Sequence, residues 1–157
     1  MPERRQLRFQ TLDDVEQDCR MLMDRGYTAL GNWNLAQTCL HLNEWMRYSI
    51  DGYPRTWLPM RFVFWLVRLT MGRRMLKKIL REGFKPGTPT LGATVFAADS
   101  QPDLEAVNEL VATIQRMQAH NGAFLRSPLF GDMTREEVEA LELRHCEHHL
   151  SFLIPAN

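Results

Sequence analysis

Three of the five histidines in this 157-residue chain fall in one short run, His145-Cys146-Glu147-His148-His149. Histidines at i and i+4 on a helix bring two imidazoles to one point above a single face, the arrangement used by helical zinc sites such as HExxH. At 100° per residue, Leu141, His145, His149 and Phe152 fall within roughly 80° of arc, so the pair is expected in the middle of an apolar stripe that includes Val138. His148 lies on the margin of that face and Glu147 on the opposite side. Buried imidazoles are costly unless each ring nitrogen has a partner, and a metal ion would supply one. The same spacing also occurs in cores whose histidines only hydrogen-bond, so spacing alone leaves both readings open.

A third ligand must come from another helix, and His41 is the best candidate, because it lies inside another predicted long helix and borders its buried side. His120 falls at a helix end and is expected to be exposed. Three neutral imidazoles from His41, His145 and His149 would suit zinc or nickel, with ferrous iron also compatible, and would leave a coordination position open to water or substrate. The second ring nitrogens are expected to meet Glu142, at i−3 from His145, and Glu44, at i+3 from His41. Asn34, Trp45, Tyr48 and His148 are candidates to line a pocket, although packing or capping is the simpler account of each. Glu44 is the one weak candidate for a general base.

The elements that would position these residues are all helical. Thr11 with Asp13 and Asp14 opens a first helix, with Leu12, Val15, Cys19 and Leu22 along one stripe and Gly26 at its end. A second helix is predicted from near Asn34 to Asp51-Gly52, with Leu35, Cys39, Leu42, Met46 and Ser49 on one line and His41, Trp45 and Tyr48 on the next. Residues 59–83 read as one or two helices interrupted near Gly72, the apolar first half being extra core. Residues 83–100, rich in Gly, Pro and Thr, read as a loop crossing the outside of the molecule. A third long helix begins near Pro102-Asp103, buries Leu104, Val107, Val111, Ile114 and Met117, and ends around His120. Thr134 and Glu137 supply a capping box for the last helix, predicted to run to about Leu153 before Pro155 stops it. No β-alternation competes, so the expectation is one all-α domain over residues 1–157: a four-helix bundle with a basic helical insertion and long loop at about 59–98.

Composition fits that expectation, with 45% apolar and 24% charged residues. The three cysteines, Cys19, Cys39 and Cys146, form no CxxC pair and suggest neither a disulfide framework nor a cysteine zinc site. With no export signal apparent in MPERRQLRFQ, a cytoplasmic setting is expected. Net charge is zero, yet the signs are segregated: residues 1–57 carry 7 basic and 8 acidic groups, residues 58–98 carry 8 and 1, and residues 99–157 carry 4 and 10. Self-complementary packing of the basic middle against the chain's own acidic helices is the simpler expectation, and contact with a membrane surface or an acidic partner is the other. Six apolar residues between Arg61 and Arg68 are far short of the ~20 needed to span a bilayer. The mixture of basic with bulky apolar residues argues against nucleic acid as a partner.

Asn32-Trp33-Asn34 leading to Cys39-Leu40-His41-Leu42, followed far downstream by His145-Cys146-Glu147-His148-His149-Leu150, resembles the DinB-like superfamily. Pro128-Leu-Phe-Gly-Asp-Met-Thr134 before that run is similar to one of its branches, known as a domain of unknown function. The resemblance implies a four-helix bundle with a metal held by His41, His145 and His149, and His148 as a neighbour rather than a ligand. Some relatives are similar to thiol-dependent transferases or isomerases, and others have no established activity. The first functional expectation is a metal-dependent enzyme, a thiol S-transferase or a hydrolase, acting on a small thiol or another small molecule. The alternative is a non-catalytic metal-containing interaction protein that meets a membrane or an acidic partner through its basic insertion. Bundles of this kind also form homodimers through exposed apolar faces.

Overall fold

The structure, a computed structural model, describes residues 3–87 and 94–156. It is mostly helical, and four helices enclose its core: α1 (Leu12–Arg25), α2 (Leu35–Asp51), α5 (Asp103–Ala119) and α6 (Arg135–Leu150). Between α2 and α5 lie α3 (Leu58–Val67) and α4 (Arg73–Glu82), joined without a break by a π-helical turn, Arg68–Gly72.

Each core helix starts where its capping chemistry dictates. Thr11, Asn34 and Thr134 accept from backbone N–H groups one turn on, and Asp14, Gln37 and Glu137 reach back to complete three capping boxes. These boxes set the cap of α2 seven residues before His41, and the cap of α6 eleven residues before His145. The stripe of α1 is the predicted one, Leu12, Val15, Cys19 and Leu22. On α5 the buried line is Ala106, Val107, Leu110, Val111, Ile114 and Met117, whereas Leu104 is 54% exposed, in the first turn of the helix and at the margin of that stripe. The three cysteines are buried free thiols in this core, with the Sγ atoms of Cys19 and Cys39 3.9 Å apart.

Two expectations for α6 need correction. Its buried line is Val138, Glu142, Cys146 and Leu150, one position round from the predicted stripe, so His145 and His149 border the core rather than occupy its centre. The helix also ends at Leu150, not near Leu153. Leu153–Pro155 instead forms β2, antiparallel to β1 (Tyr27–Ala29), in the register Tyr27 to Pro155. Three residues per strand are too few to show a period of two, which is why alternation gave no warning of this sheet.

The insertion departs further from expectation. No residue of α3 is buried, so its apolar sequence is not additional core. Few of the basic residues of α3 and α4 meet acidic partners across the fold: Arg73 with Glu137 is the one ion pair from these two helices to another helix among the described residues. The insertion is attached through Leu76, fully buried on α4, and through Gly72, whose Cα lies against the Leu129 carbonyl. The predicted loop at 83–100 is irregular where described. Its residues 88–93 lie outside the described residues, as does the corresponding part of the insertion.

Gly72→Ala tests this attachment. An exposed helical glycine replaced by alanine gains about 1 kcal/mol. Here the new Cβ would collide with the Leu129 carbonyl oxygen. The substitution is expected to lower the denaturant midpoint, by about 1–3 kcal/mol of stability, and an unchanged or raised midpoint would mean that α4 and the 127–130 segment do not meet this closely.

Candidate metal centre

His41 projects from the middle of α2, and His145 and His149 from successive turns at the end of α6. Each offers one ring nitrogen, and the three nitrogens lie within 4.8 Å of one another, a cluster that could hold a metal ion. His41 is 1% exposed, the His145 side chain is 12% exposed, and His149 is partly buried.

The partners of the rings constrain their tautomers. His41 Nδ1 lies 3.0 Å from the Thr94 carbonyl, which only accepts, so Nδ1 carries the proton and Nε2 presents a lone pair. That Nε2 faces His145 Nε2 at 3.0 Å. His145 Nδ1 lies 3.8 Å from Glu142 Oε2, an oxygen that is buried and has no hydrogen-bond partner. If His145 turns its Nδ1 proton to the Glu142 side, two lone pairs meet at the centre of the cluster, an arrangement that a cation would relieve. Without a cation, Glu142 must keep its own proton and direct it at Nδ1 across a gap too long for a good hydrogen bond.

Desolvation sets the charge of every group. Burial lowers His41 and His145 to about 3 each and His148 to about 4, and it takes His149 well below the ordinary imidazole value. All are therefore neutral at pH 7, the state in which imidazole binds metal. Burial pushes the Glu142 carboxyl up to about 8, and burial with the nearby Glu142 takes the Tyr53 phenol to about 12.

Aromatic rings hold the cluster on several sides. Trp33 stacks on His149, with centroids 5.2 Å apart and planes within 11°, and tilts over His41 at 4.9 Å. Trp45 meets His41 and His145 edge-on, and Phe84 lies 5.4 Å from His145. Above them opens a cavity of about 630 Å³, largely apolar, between α6, α4 and the 127–130 segment. Two polar atoms on its wall, Trp45 Nε1 and Glu142 Oε2, are buried without partners.

His41, His145 and His149 are thus brought together, and two of the pocket candidates, Trp45 and His148, line the cavity although packing was the simpler expectation for each. His148 is not among the three converging rings, and its Nδ1 lies between the Arg4 guanidinium at 3.2 Å and the Phe84 carbonyl at 3.3 Å. Glu142 is where α-helical spacing put it. Glu44 is not the partner of His41: its carboxylate turns outward to Arg47 at 2.9 Å, and the Thr94 carbonyl takes its place. Asn34 caps α2 and also donates to the Ala98 carbonyl, whereas Tyr48 packs edge-on against Trp45. His120 is partly buried beside Phe124, away from the site. Sequence reasoning missed Trp33, Phe84 and Thr94 as neighbours of the imidazoles. The Asn32-Trp33-Asn34 motif carried a signal for the first of these; a backbone carbonyl in an irregular segment carries none.

The chain belongs to the family described as Protein of unknown function (DUF1569), which matches residues 1–156. No curated protein and no solved structure matches it.

The depressed imidazole values fix a pH dependence for metal-free protein. A histidine that titrates near 6.5 when unfolded and near 3 when folded binds its proton only in the unfolded chain between those limits. Stability is therefore full above about pH 6.5 and falls as pH drops towards 3. Glu142 acts in the opposite sense, losing stability as pH rises from its unfolded value towards 8, but it is one group against four. Denaturant midpoints of chelator-treated protein are expected to fall steeply from pH 6.5 to 4.5, and His41→Asn should flatten that slope. A flat profile would show that the rings are not desolvated.

Proposed function

We propose that this protein is a DinB-like four-helix-bundle metalloenzyme, in which His41, His145 and His149 hold one divalent ion, zinc or nickel, facing the apolar cavity. The observation that carries the reading is the convergence of three neutral imidazole nitrogens, two of them 3.0 Å apart, beside a buried carboxylate oxygen with no other partner. A cation is what this donor set lacks. Three nitrogen donors with no thiolate or further carboxylate in the cluster suit a borderline ion rather than calcium or magnesium. Support for the bundle assignment is the placement of one histidine on the second core helix and the H-x-x-x-H unit on the last.

Such an ion would supply Lewis acidity, lowering the pKa of a small thiol or a water at the open position. The chain's own residues do the rest. Glu142, whose Oε2 lies 3.8 Å from His145 Nδ1, would accept from that nitrogen on a small closing movement and so fix the ring. The Thr94 carbonyl does the same for His41. Trp33, Trp45 and Phe84 keep bulk water from the imidazoles, and the cavity wall of Phe64, Ile79, Phe84, Phe130 and Leu141 selects an apolar reaction partner. Thiol S-transfer and hydrolysis both fit these features. Three reduced cysteines fit a cytoplasmic setting.

Elemental analysis of protein purified without a histidine tag tests the reading. One zinc or nickel per chain is expected, falling below a tenth of that in His41→Ala and His149→Ala, while Glu142→Gln should weaken metal affinity by roughly 10–100-fold. Sub-stoichiometric metal unchanged in these variants would rule the site out. Equal reactivity of loaded and metal-free protein towards thiol and electrophile would rule out the enzymatic role.

A further inference from the structure

Residues 57–81 contain seven Arg or Lys residues and no Asp or Glu. Within them α3 is a ten-residue helix with no buried residue, apolar on every side. Trp57 is 71% exposed, Leu58 74%, Phe62 62% and Leu69 68%, and the Phe62 and Trp65 rings stack at 5.6 Å on open surface. A helix that is hydrophobic all round is normally inside something. Five cations beside it, Arg61, Arg68, Arg74, Lys77 and Lys78, form no ion pair among the described residues.

We propose that α3 is an interfacial helix that docks this protein on an anionic lipid bilayer, its aromatic and aliphatic side chains entering the headgroup region while the cations of α3 and α4 meet the lipid phosphates. The charge pattern favours this occupant over a second copy of the chain. A two-fold interface through α3 would set the same acid-free, cation-rich surface against itself. Shape favours it over a folded protein partner, because a projecting helix exposed over most of its circumference, with only Phe64 and Val67 partly covered, needs either a deep groove or a fluid surface, and a bilayer interface is the latter. Trp and Phe flanked by Arg and Lys are the residues that reside at that depth. Ten residues cannot cross a bilayer, and no described helix is long and apolar enough to do so, so the helix lies in the plane of the interface. The proposal does not depend on metal at the histidine cluster.

Vesicle flotation of the full chain tests it, using phosphatidylcholine vesicles with and without phosphatidylglycerol. The protein is expected to float with the anionic vesicles at low salt, to float poorly with pure phosphatidylcholine, and to be released as salt rises. The variants F62S/W65S and R61E/R74E, all at exposed positions and checked for wild-type helix content, should each bind anionic vesicles about tenfold or more weakly. Failure of wild-type protein to float at low salt would overturn the proposal without recourse to any variant. So would flotation unaffected by both variants. A wild-type dimer in lipid-free solution that F62S/W65S dissociates would assign the face to a second copy and overturn it too.

Discussion

His41 is held at both ring nitrogens inside the protein, by a backbone carbonyl on one side and by a second imidazole on the other, with almost no water in reach. That arrangement is expensive, since three desolvated imidazoles must each find a partner for a lone pair or a proton. Much of the surrounding structure exists to meet this demand. The 94–98 segment lies along the first half of α2, and its carbonyls receive His41 Nδ1, Gln37 Nε2 and Asn34 Nδ2 in turn. An irregular stretch of chain is thereby fixed by the helix that carries the histidine, and fixes it in return. The aromatic rings around the cluster contribute apolar contact while leaving the inward nitrogens uncovered.

The same demand shapes α6. A helix that presents His145 and His149 to a cavity must turn other residues into the core, and two of those are carboxylates. Glu147 is neutralised conventionally: Arg144 bonds it at 2.5 Å, and the Phe9 N–H donates to it at 2.9 Å. The N-terminal segment that supplies Phe9 also ties the end of α6 down, because Arg5 spans from Asp18 on α1 to the Leu150 carbonyl and Arg4 reaches His148 and Ser151. Glu142 receives no such treatment, and its oxygen beside His145 is left without a partner. Burial raises its carboxyl to about 8 instead, so in the metal-free protein it meets neutral pH largely as the uncharged acid.

The parts of this architecture that follow local rules were legible in the sequence. Capping residues at Thr11 and Asn34 and a capping box at Thr134 marked the starts of three helices. The 3/4 spacing gave the face of α1 and one buried line of α2, whose residues 35–43 are in fact buried on every side, and helical spacing alone put Glu142 beside His145. What was lost depends on contacts between distant segments. The wheel placed the α6 stripe one position off because Glu142 and Cys146 count as a charge and a small residue in a periodicity, whereas in the fold both are buried. The partner of His41 was misassigned for a related reason: side chains three residues apart are visible in a sequence, but the Thr94 carbonyl, 53 residues away, is not. The exposure of α3 was hidden because apolar sequence reads as core unless something shows that the core is already filled by α1, α2, α5 and α6.

The insertion gives the site its wall. α4 closes one side of the cavity through Ile79 and neighbouring residues, and Phe64 of α3 reaches the same space from the helix that otherwise faces outward. Access to the imidazoles therefore runs past a segment that packs on the rest of the fold chiefly through Leu76 and Gly72. The account rests on the imidazoles being ligands, and X-ray absorption at the zinc edge of protein loaded with one equivalent of zinc addresses that directly. It predicts a first shell of nitrogen and oxygen only, with outer-shell scattering from three imidazoles. A shell containing sulfur, or scattering from one imidazole or none, would contradict it.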